Sequence, residues 1–260
     1  MAEGHLLFDC NENWINAFVS LAGLLPGGAV EYVEGFTITK TGIRSPDFNI
    51  VFALDRPEAL GNVSKRIESL FIRSKVPWQL ITTAGGSDYV RPLIREMNLV
   101  LSEVVPGMAL SPLPDSCPPP PKDLEIRKVE DLQQVDMFLR TSEAGFGVTV
   151  ADLDVLENGL MSANSDAPFR GALYLGCIGG KPVATSLRST TREVAGIYLV
   201  STLPEFRGRG FGEAVVWKAV MDGHEEGCTM SCLQASKMGR PVYERMGYRT
   251  IVDYHILRTA

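Results

Sequence analysis

In the stretch Leu199–Gly212, LVSTLPEFRGRGFG, an apolar strand ends at Thr202 and Pro204, with no amide to donate, keeps it from continuing. Gly208, Gly210 and Gly212 then alternate with Arg209 and Phe211 at the entry to a helix. Glycine lets backbone approach a ligand closely. The first amides of a helix lack intrahelical acceptors and carry the positive end of its dipole. This turn predicts a phosphate cradle, to which Arg207 and Arg209 add charge and paired donors.

Other glycine motifs do not fit. A dinucleotide fingerprint counted from Gly208 needs glycine where Glu213 stands, and the strands ahead form a meander, not a βαβ unit. Gly180-Lys181 is followed by Pro182 in a hairpin turn, so it is no P-loop. Gly85-Gly86-Ser87-Asp88-Tyr89 lacks the last glycine of a nucleophile elbow, and there is no His-Glu-x-x-His. The plain alternative is an ordinary glycine-rich turn.

Outward from the cradle, alternation predicts a strand over Leu124–Val129, a helix over Glu130–Ser142, and helix and loop over Ala151–Ala167. Strands over Ala172–Ile178, Val183–Ser189 and Gly196–Thr202, joined by short turns, make an antiparallel meander. A helix over Gly210–His224 aligns Phe211, Val215, Val216, Ala219 and Val220 on one face, and Gly227 stops it. Thr229–Gln234 reads as a strand, Pro241–Met246 as a short helix and Tyr248–Leu257 as the last strand. The class is mixed α/β (α+β), with a largely antiparallel sheet in the C-terminal half.

Ser111–Lys122 holds six of the sixteen prolines and can extend neither a helix nor a ladder. It divides the chain into residues 1–111, a linker over 112–122, and residues 123–260. The first part repeats the order loosely: a helix over Asn13–Leu24, strands over Val30–Thr39 and Asn49–Leu54, a helix over Pro57–Ser74, a strand over Gln79–Thr82, a helix over Asp88–Met97 and a strand over Leu99–Val105. Either a degenerate duplication or an unrelated α/β cap accounts for it. Its strand-to-helix loop, Leu54–Gly61, has one glycine, and Asp55 and Glu58 would repel a pyrophosphate, so one cofactor per chain is expected.

With 45% hydrophobic and 22% charged residues and a mean hydropathy of +0.05, the composition is that of a folded protein. No apolar run is long enough to span a bilayer, and a net charge of -6 gives no basic footprint for nucleic acid. Five scattered cysteines make no disulfide framework, and Cys228 and Cys232 are expected on one strand face as small buried groups rather than as metal ligands. No secretory signal precedes Cys10, so the cytoplasm is the expected compartment and no metal is expected. A homodimer stays open.

Arg207, Gly210 and Gly212 meet the R/Q-x-x-G-x-G/A loop of the GNAT superfamily of acyl-CoA-dependent N-acetyltransferases. Downstream, Leu233-Gln234-Ala235-Ser236, Gly239 and the run Val242–Tyr248 look like that family's strand-helix ending, Y-E-x-x-G-F/Y. The resemblance covers about Leu124–Leu257. More weakly, the first half resembles the degenerate N-terminal halves of tandem GNAT proteins.

The resemblance implies acetyl-CoA as cosubstrate and an amine on a small molecule or peptide as acceptor. It implies that the strand before the loop splays from its neighbour and offers backbone at Val200, Ser201 and Thr202 to the pantetheine arm. The amides from Arg207 through Gly208, Arg209, Gly210 and Phe211 to Gly212 would take the pyrophosphate. Ser236 stands where many members have asparagine, and Gly239 where many have alanine. The family tyrosine falls on Tyr243, which would protonate the departing thiolate. Glu143, Glu193 or water would take the amine's proton. The rival reading is a non-catalytic acyl-CoA sensor or a scaffold, neither of which needs Tyr243.

Overall fold

In the computed structural model, which describes residues 3–55, 59–147, 156 and 170–259, the strands form one mixed sheet. The N-terminal elements are α1 (Glu3–Leu24), β1 (Ala29–Val33), β2 (Phe36–Lys40), β3 (Ile50–Ala53), α2 (Val63–Ile67, continued by a π turn over Glu68–Ile72), β4 (Gln79–Thr83), α3 (Arg91–Glu96) and β5 (Leu99–Leu110). The C-terminal ones are β6 (Glu125–Lys128), α4 (Leu132–Phe146), β7 (Gly171–Ile178), β8 (Lys181–Thr191), β9 (Val194–Thr202), α5 (Phe211–Glu225), β10 (Met230–Gln234), α6 (Arg240–Arg245) and β11 (Arg249–Thr259).

The mixed α/β class is as expected, and among the described strand pairs only β3–β4 and β9–β10 are parallel. The strand order is β1-β2-β3-β4-β11-β5-β10-β9-β8-β7-β6. Thus the last strand of each half lies beside the other half's penultimate strand. β5 pairs with β10, β11 with β4, and β5 and β11 with each other, all antiparallel.

Local chemistry explains most elements. Asp131 caps α4 by accepting from the Gln134 amide at 2.8 Å, and Gly147 ends it at φ 67°. Val216, Ala219 and Val220 on α5 are fully buried against Tyr174, Tyr243, Tyr248 and Met108. Burial of such a valine stabilises by about 1.5–3 kcal/mol. The opposite face of the sheet carries α1 and α4. Fully buried Asn13 on α1 donates to the carbonyls of Ser189 and Val194 and accepts from the Tyr198 hydroxyl, tying the N-terminal helix to C-terminal strands.

Several boundaries differ from the sequence expectation. Val30–Thr39 is a hairpin, not one strand, because Glu34 and Gly35 at φ 53° and 86° form a two-residue turn of type I′. β5 continues past Val105 through Pro106. The Pro106 carbonyl accepts from Ala235, so its missing amide faces the end of β10, where no ladder partner is required. The helices expected over Pro57–Ser74 and Asp88–Met97 shorten to α2 with its π turn and to α3. Cys228 precedes β10 and packs with Tyr174 and Val220, while Cys232 packs with Cys10 on the other face, so the two do not share a face. The helix and loop read over Ala151–Ala167 lie, apart from buried Leu156, outside the described residues, as does Glu58.

Candidate active site

β9 begins as a parallel neighbour of β10, but their ladder ends at Gly196–Cys232, although β9 runs to Thr202 and β10 to Gln234. Beyond that point β10 stays on β5 and β9 stays on β8, so the sheet opens. A bulge helps to turn β9 away. The β8 register jumps from Leu187–Tyr198 to Thr185–Ser201, and Leu199 sits at φ 46°, which is strained for a residue with a branched side chain. The Thr185 hydroxyl holds the bulge, 2.8 Å from the Leu199 carbonyl and 2.8 Å from the Ser201 hydroxyl.

The opening is a cleft of about 580 Å³. Val200, Ser201 and Thr202 line it. Gly208, Gly210, Phe211 and Gly212 form its next wall. Gly210, at φ 79°, is the N-cap of α5 and offers no side chain to the helix start. The amides of Phe211, Gly212 and Glu213 therefore have no capping acceptor, and all three residues border the cleft. A phosphate fits this donor set. The Phe211 ring itself is buried in the core, so that residue contributes its backbone.

The two arginines diverge. Arg207 borders the cleft, but its guanidinium donates to the carbonyls of Thr202 at 3.1 Å and Gly145 at 2.7 Å, clamping β9 to the end of α4. Arg209, expected at the pyrophosphate, is not in the cleft lining. The left-handed turns at Gly208 and Gly210 direct it outward, where it pairs with Asp123 at 3.2 Å and lies over the Phe211 ring, 4.6 Å from its centre.

On the β10 side, Ser236 and Tyr243 border the cleft. The Ser236 hydroxyl accepts from the Gly239 amide at 3.1 Å, so the side chain shapes the turn into α6. A Cβ on Gly239 would come 2.8 Å from the Tyr243 ring, which explains glycine here: the ring packs on that backbone. Tyr243 is 8% exposed, with its ring edge-on to Tyr248 at 5.8 Å, and burial raises its phenol to about 12. Among the described residues its hydroxyl has no hydrogen-bond partner, whereas that of Tyr248 is 2.6 Å from the Ser231 hydroxyl.

Glu193, a candidate base, immediately precedes β9 at its far end, about 30 Å of strand from Thr202. It bonds Thr229 there, so it is not at the cleft. Glu143 sits on α4 two residues before Gly145, whose absent side chain lets α4 touch β9: a Cβ would lie 2.5 Å from the Ser201 hydroxyl. The cleft also holds residues that the sequence did not single out: Glu103, Phe146, Glu213, Lys237, Met238 and Arg245. Glu213 faces Arg245 at 3.8 Å. Glu103 comes from β5 and reaches the cleft only through the strand exchange, for which no local sequence signal exists. Among the described residues there is no group of three metal-ligating side chains and no helix long and apolar enough to cross a membrane.

Residues 125–251 match the family model of the acetyltransferase (GNAT) domain. A search of curated proteins gave no match. Among solved structures, the chain resembles a GCN5-related N-acetyltransferase from Kribbella flavida, with a TM-score of 0.63, 16% identity and coverage of 89% of each chain. A second such protein, from Sphaerobacter thermophilus, has a TM-score of 0.63 and 16% identity over 88% of this chain and 81% of its own. A tandem GNAT protein from the clavulanic acid biosynthesis pathway has a TM-score of 0.59 and 13% identity over 90% and 83%. The chain has the fold of these GNAT acetyltransferase structures, and its residues 125–251 match the model of the GNAT domain.

Proposed function

We propose that the protein transfers acetyl from acetyl-CoA to a primary amine of a small molecule or peptide, by direct attack of the amine on the thioester. The observation that carries this is the parting of β9 from β10 beside an uncapped helix start. The gap offers strand backbone to a pantetheine arm, and the amides of Phe211, Gly212 and Glu213 offer a pyrophosphate its donors. Arg207 holds the two walls at their spacing and has guanidinium donors left for the same anion.

Tyr243 serves the leaving sulfur. Its phenol, raised to about 12, stays protonated at neutral pH and is free to donate. A thiol titrates near 8.5, so complete proton transfer from such a phenol is uphill by several units; the first gain is a hydrogen bond to the developing thiolate. A sensor would need the cradle but not this phenol at the cleft. The chain is organised as a GNAT-like unit over 1–111, a connection over 112–122 and a catalytic unit over 123–260. The matching parallel pairs β3–β4 and β9–β10 support a duplication. Free thiols at all five cysteines support a reducing compartment, the cytoplasm.

A thermal titration tests the cofactor: acetyl-CoA at 100 times its dissociation constant should stabilise the fold by about 2.7 kcal/mol. Release of free CoA with a panel of amines, aminoglycosides, amino acids and peptide N-termini tests the transfer. No stabilisation by acetyl-CoA refutes the reading, and binding without CoA release from any acceptor favours the sensor.

A further inference from the structure

We propose that Glu103, supplied by the N-terminal half, binds the ammonium group of the acceptor, and that the acceptor is an amine on an apolar stem with no carboxylate beside the nitrogen. This role rests on the acetyltransferase reading, while the position of Glu103 follows from strand register. In the β5–β11 ladder Glu103 stands opposite Ile256, and Val105 opposite Tyr254. Directly paired residues share a face of the sheet. Ile256, Val105 and Tyr254 pack with Trp14 of α1, so Glu103 lies on the face that carries α1 and α4. Tyr243 lies on the opposite face, packed with Met108 and α5.

The cleft borders both groups, and it lies where β10 has left β9. It therefore connects the two faces of the sheet, with the helix-start amides and Tyr243 toward one and Glu103 toward the other. A donor seated on the α5 face and an acceptor entering from the α4 face meet at the gap. β5 is a central strand, yet its ladder with β10 starts only at Gly107, which leaves Glu103 exposed.

Charge then selects the acceptor. Among the described residues Glu103 has no ion pair or hydrogen bond, although Arg207, Lys237 and Arg245 border the same cleft. Arg207 is anchored by the Thr202 and Gly145 carbonyls and Arg245 by the Pro241 carbonyl and Glu213, while Lys237, on the turn between β10 and α6, has no ion pair or hydrogen bond among the described residues. Nearby, Phe146 at the end of α4 and Met238 after β10 are 49% and 67% exposed, large apolar side chains facing the opening. An unpaired carboxylate beside exposed apolar groups complements an ammonium on an apolar stem. An acceptor with its own carboxylate at the amine carbon would set like charges together.

Phenethylamine and phenylalanine test this, because they share ring and amine and differ in the carboxylate. Calorimetry on the full chain, with and without CoA, should show wild type binding phenethylamine about tenfold or more tighter than phenylalanine. Glu103→Gln should lose about tenfold or more of the phenethylamine affinity and keep acetyl-CoA affinity, and Glu103→Lys should invert the preference. Unchanged phenethylamine affinity in a folded Glu103→Gln protein overturns the proposal, as does a wild type that binds neither compound or prefers phenylalanine. Acetyl-CoA titrated into the same samples separates the two readings. Failure of that titration refutes the transferase, while the amine comparison still decides Glu103.

Discussion

In the N-terminal half the parallel strands β3 and β4 stay paired from Ile50–Gln79 to Ala53–Thr82, the whole of β3, whereas β9 leaves β10 after Gly196 with six residues still to run. The helices that follow differ in the same direction. Asn62, the N-cap of α2, gives its backbone amide and side-chain amide to the Glu34 carboxylate at 3.1 and 2.8 Å, so that helix start already holds an anion from the protein itself. Gly210 leaves the start of α5 without one. The two crossovers thus differ in whether the parallel ladder is kept and whether the following helix start is already capped.

The largest expected effect tests that contrast directly. Acetyl-CoA should bind once per chain, and Gly210→Asp should weaken it by about 100-fold or more, because a carboxylate then occupies the helix start. Aspartate is among the few residues that tolerate the left-handed conformation at Gly210, so the fold should persist, and calorimetry beside a melting curve checks both. Replacing Glu34, Asp55 and Glu58 by their amides should leave the stoichiometry at one, since β3 and β4 remain zipped. Two sites in wild type, or full affinity in folded Gly210→Asp, would break the comparison.

Next in size is the chemistry. Tyr243→Phe keeps the ring against Gly239 and Tyr248 and removes the donor, so acetyl-CoA affinity should change less than about threefold while turnover drops about 10²-fold. The pH dependence has a definite sign. The neutral phenol donates, and burial raises it from 10 to about 12, so its contribution to rate should persist above pH 10 and fade near 12. The same shift stabilises the fold fully below pH 10, and this stability is lost as pH rises from 10 to about 12. Steady-state rates across pH decide the first point and denaturation across pH the second. Wild-type turnover in the phenylalanine variant would return Tyr243 to the packing of the core.

The helix start after Gly210 was legible because its chemistry is local: a strand end, a proline stop and alternating glycines fix it within a dozen residues. The direction of Arg209 was not legible, because it depends on two left-handed glycines and on Asp123, 86 residues away. Glu103 was illegible for a stronger reason. It sits at the cleft only because β5 pairs with β10 of the other half, and long-range pairing leaves no trace in local alternation. The hairpin at Glu34 was missed because Glu-Gly is a weaker turn signal than Asn-Gly. Pro106 and Gly107 look like a strand end, yet the end of β10 makes them tolerable.

A moderate effect tests how the halves are joined. Asn13→Ala removes two donors and an acceptor from a fully buried site, stranding the carbonyls of Ser189 and Val194 and the Tyr198 hydroxyl. Stability should fall by about 1–3 kcal/mol, read from chemical denaturation. Gly196→Ala should act on the same latch, since its Cβ would sit 1.7 Å from the Asn13 side-chain oxygen. If the halves unfold as one unit, both variants shift a single transition. Two transitions, with only one moved, would mean that α1 does not join them.

The smallest effect belongs to the loop between β3 and α2. Gly61 precedes α2, has nothing within 4 Å of where a Cβ would stand, and lies outside the left-handed region. Alanine there restricts the unfolded chain without a clash, so Gly61→Ala should be neutral or stabilise by up to about 1 kcal/mol. Acetyl-CoA affinity should not move, because β3 and β4 leave no gap for this loop to serve. Gly210→Ala, forced into φ 79°, should instead destabilise. Melting curves and acetyl-CoA titrations on the two alanine variants measure the difference between the loops. A Gly61→Ala protein that is folded but binds acetyl-CoA more weakly would mean that the N-terminal loop touches cofactor, and the contrast between the halves would fail at its simplest point.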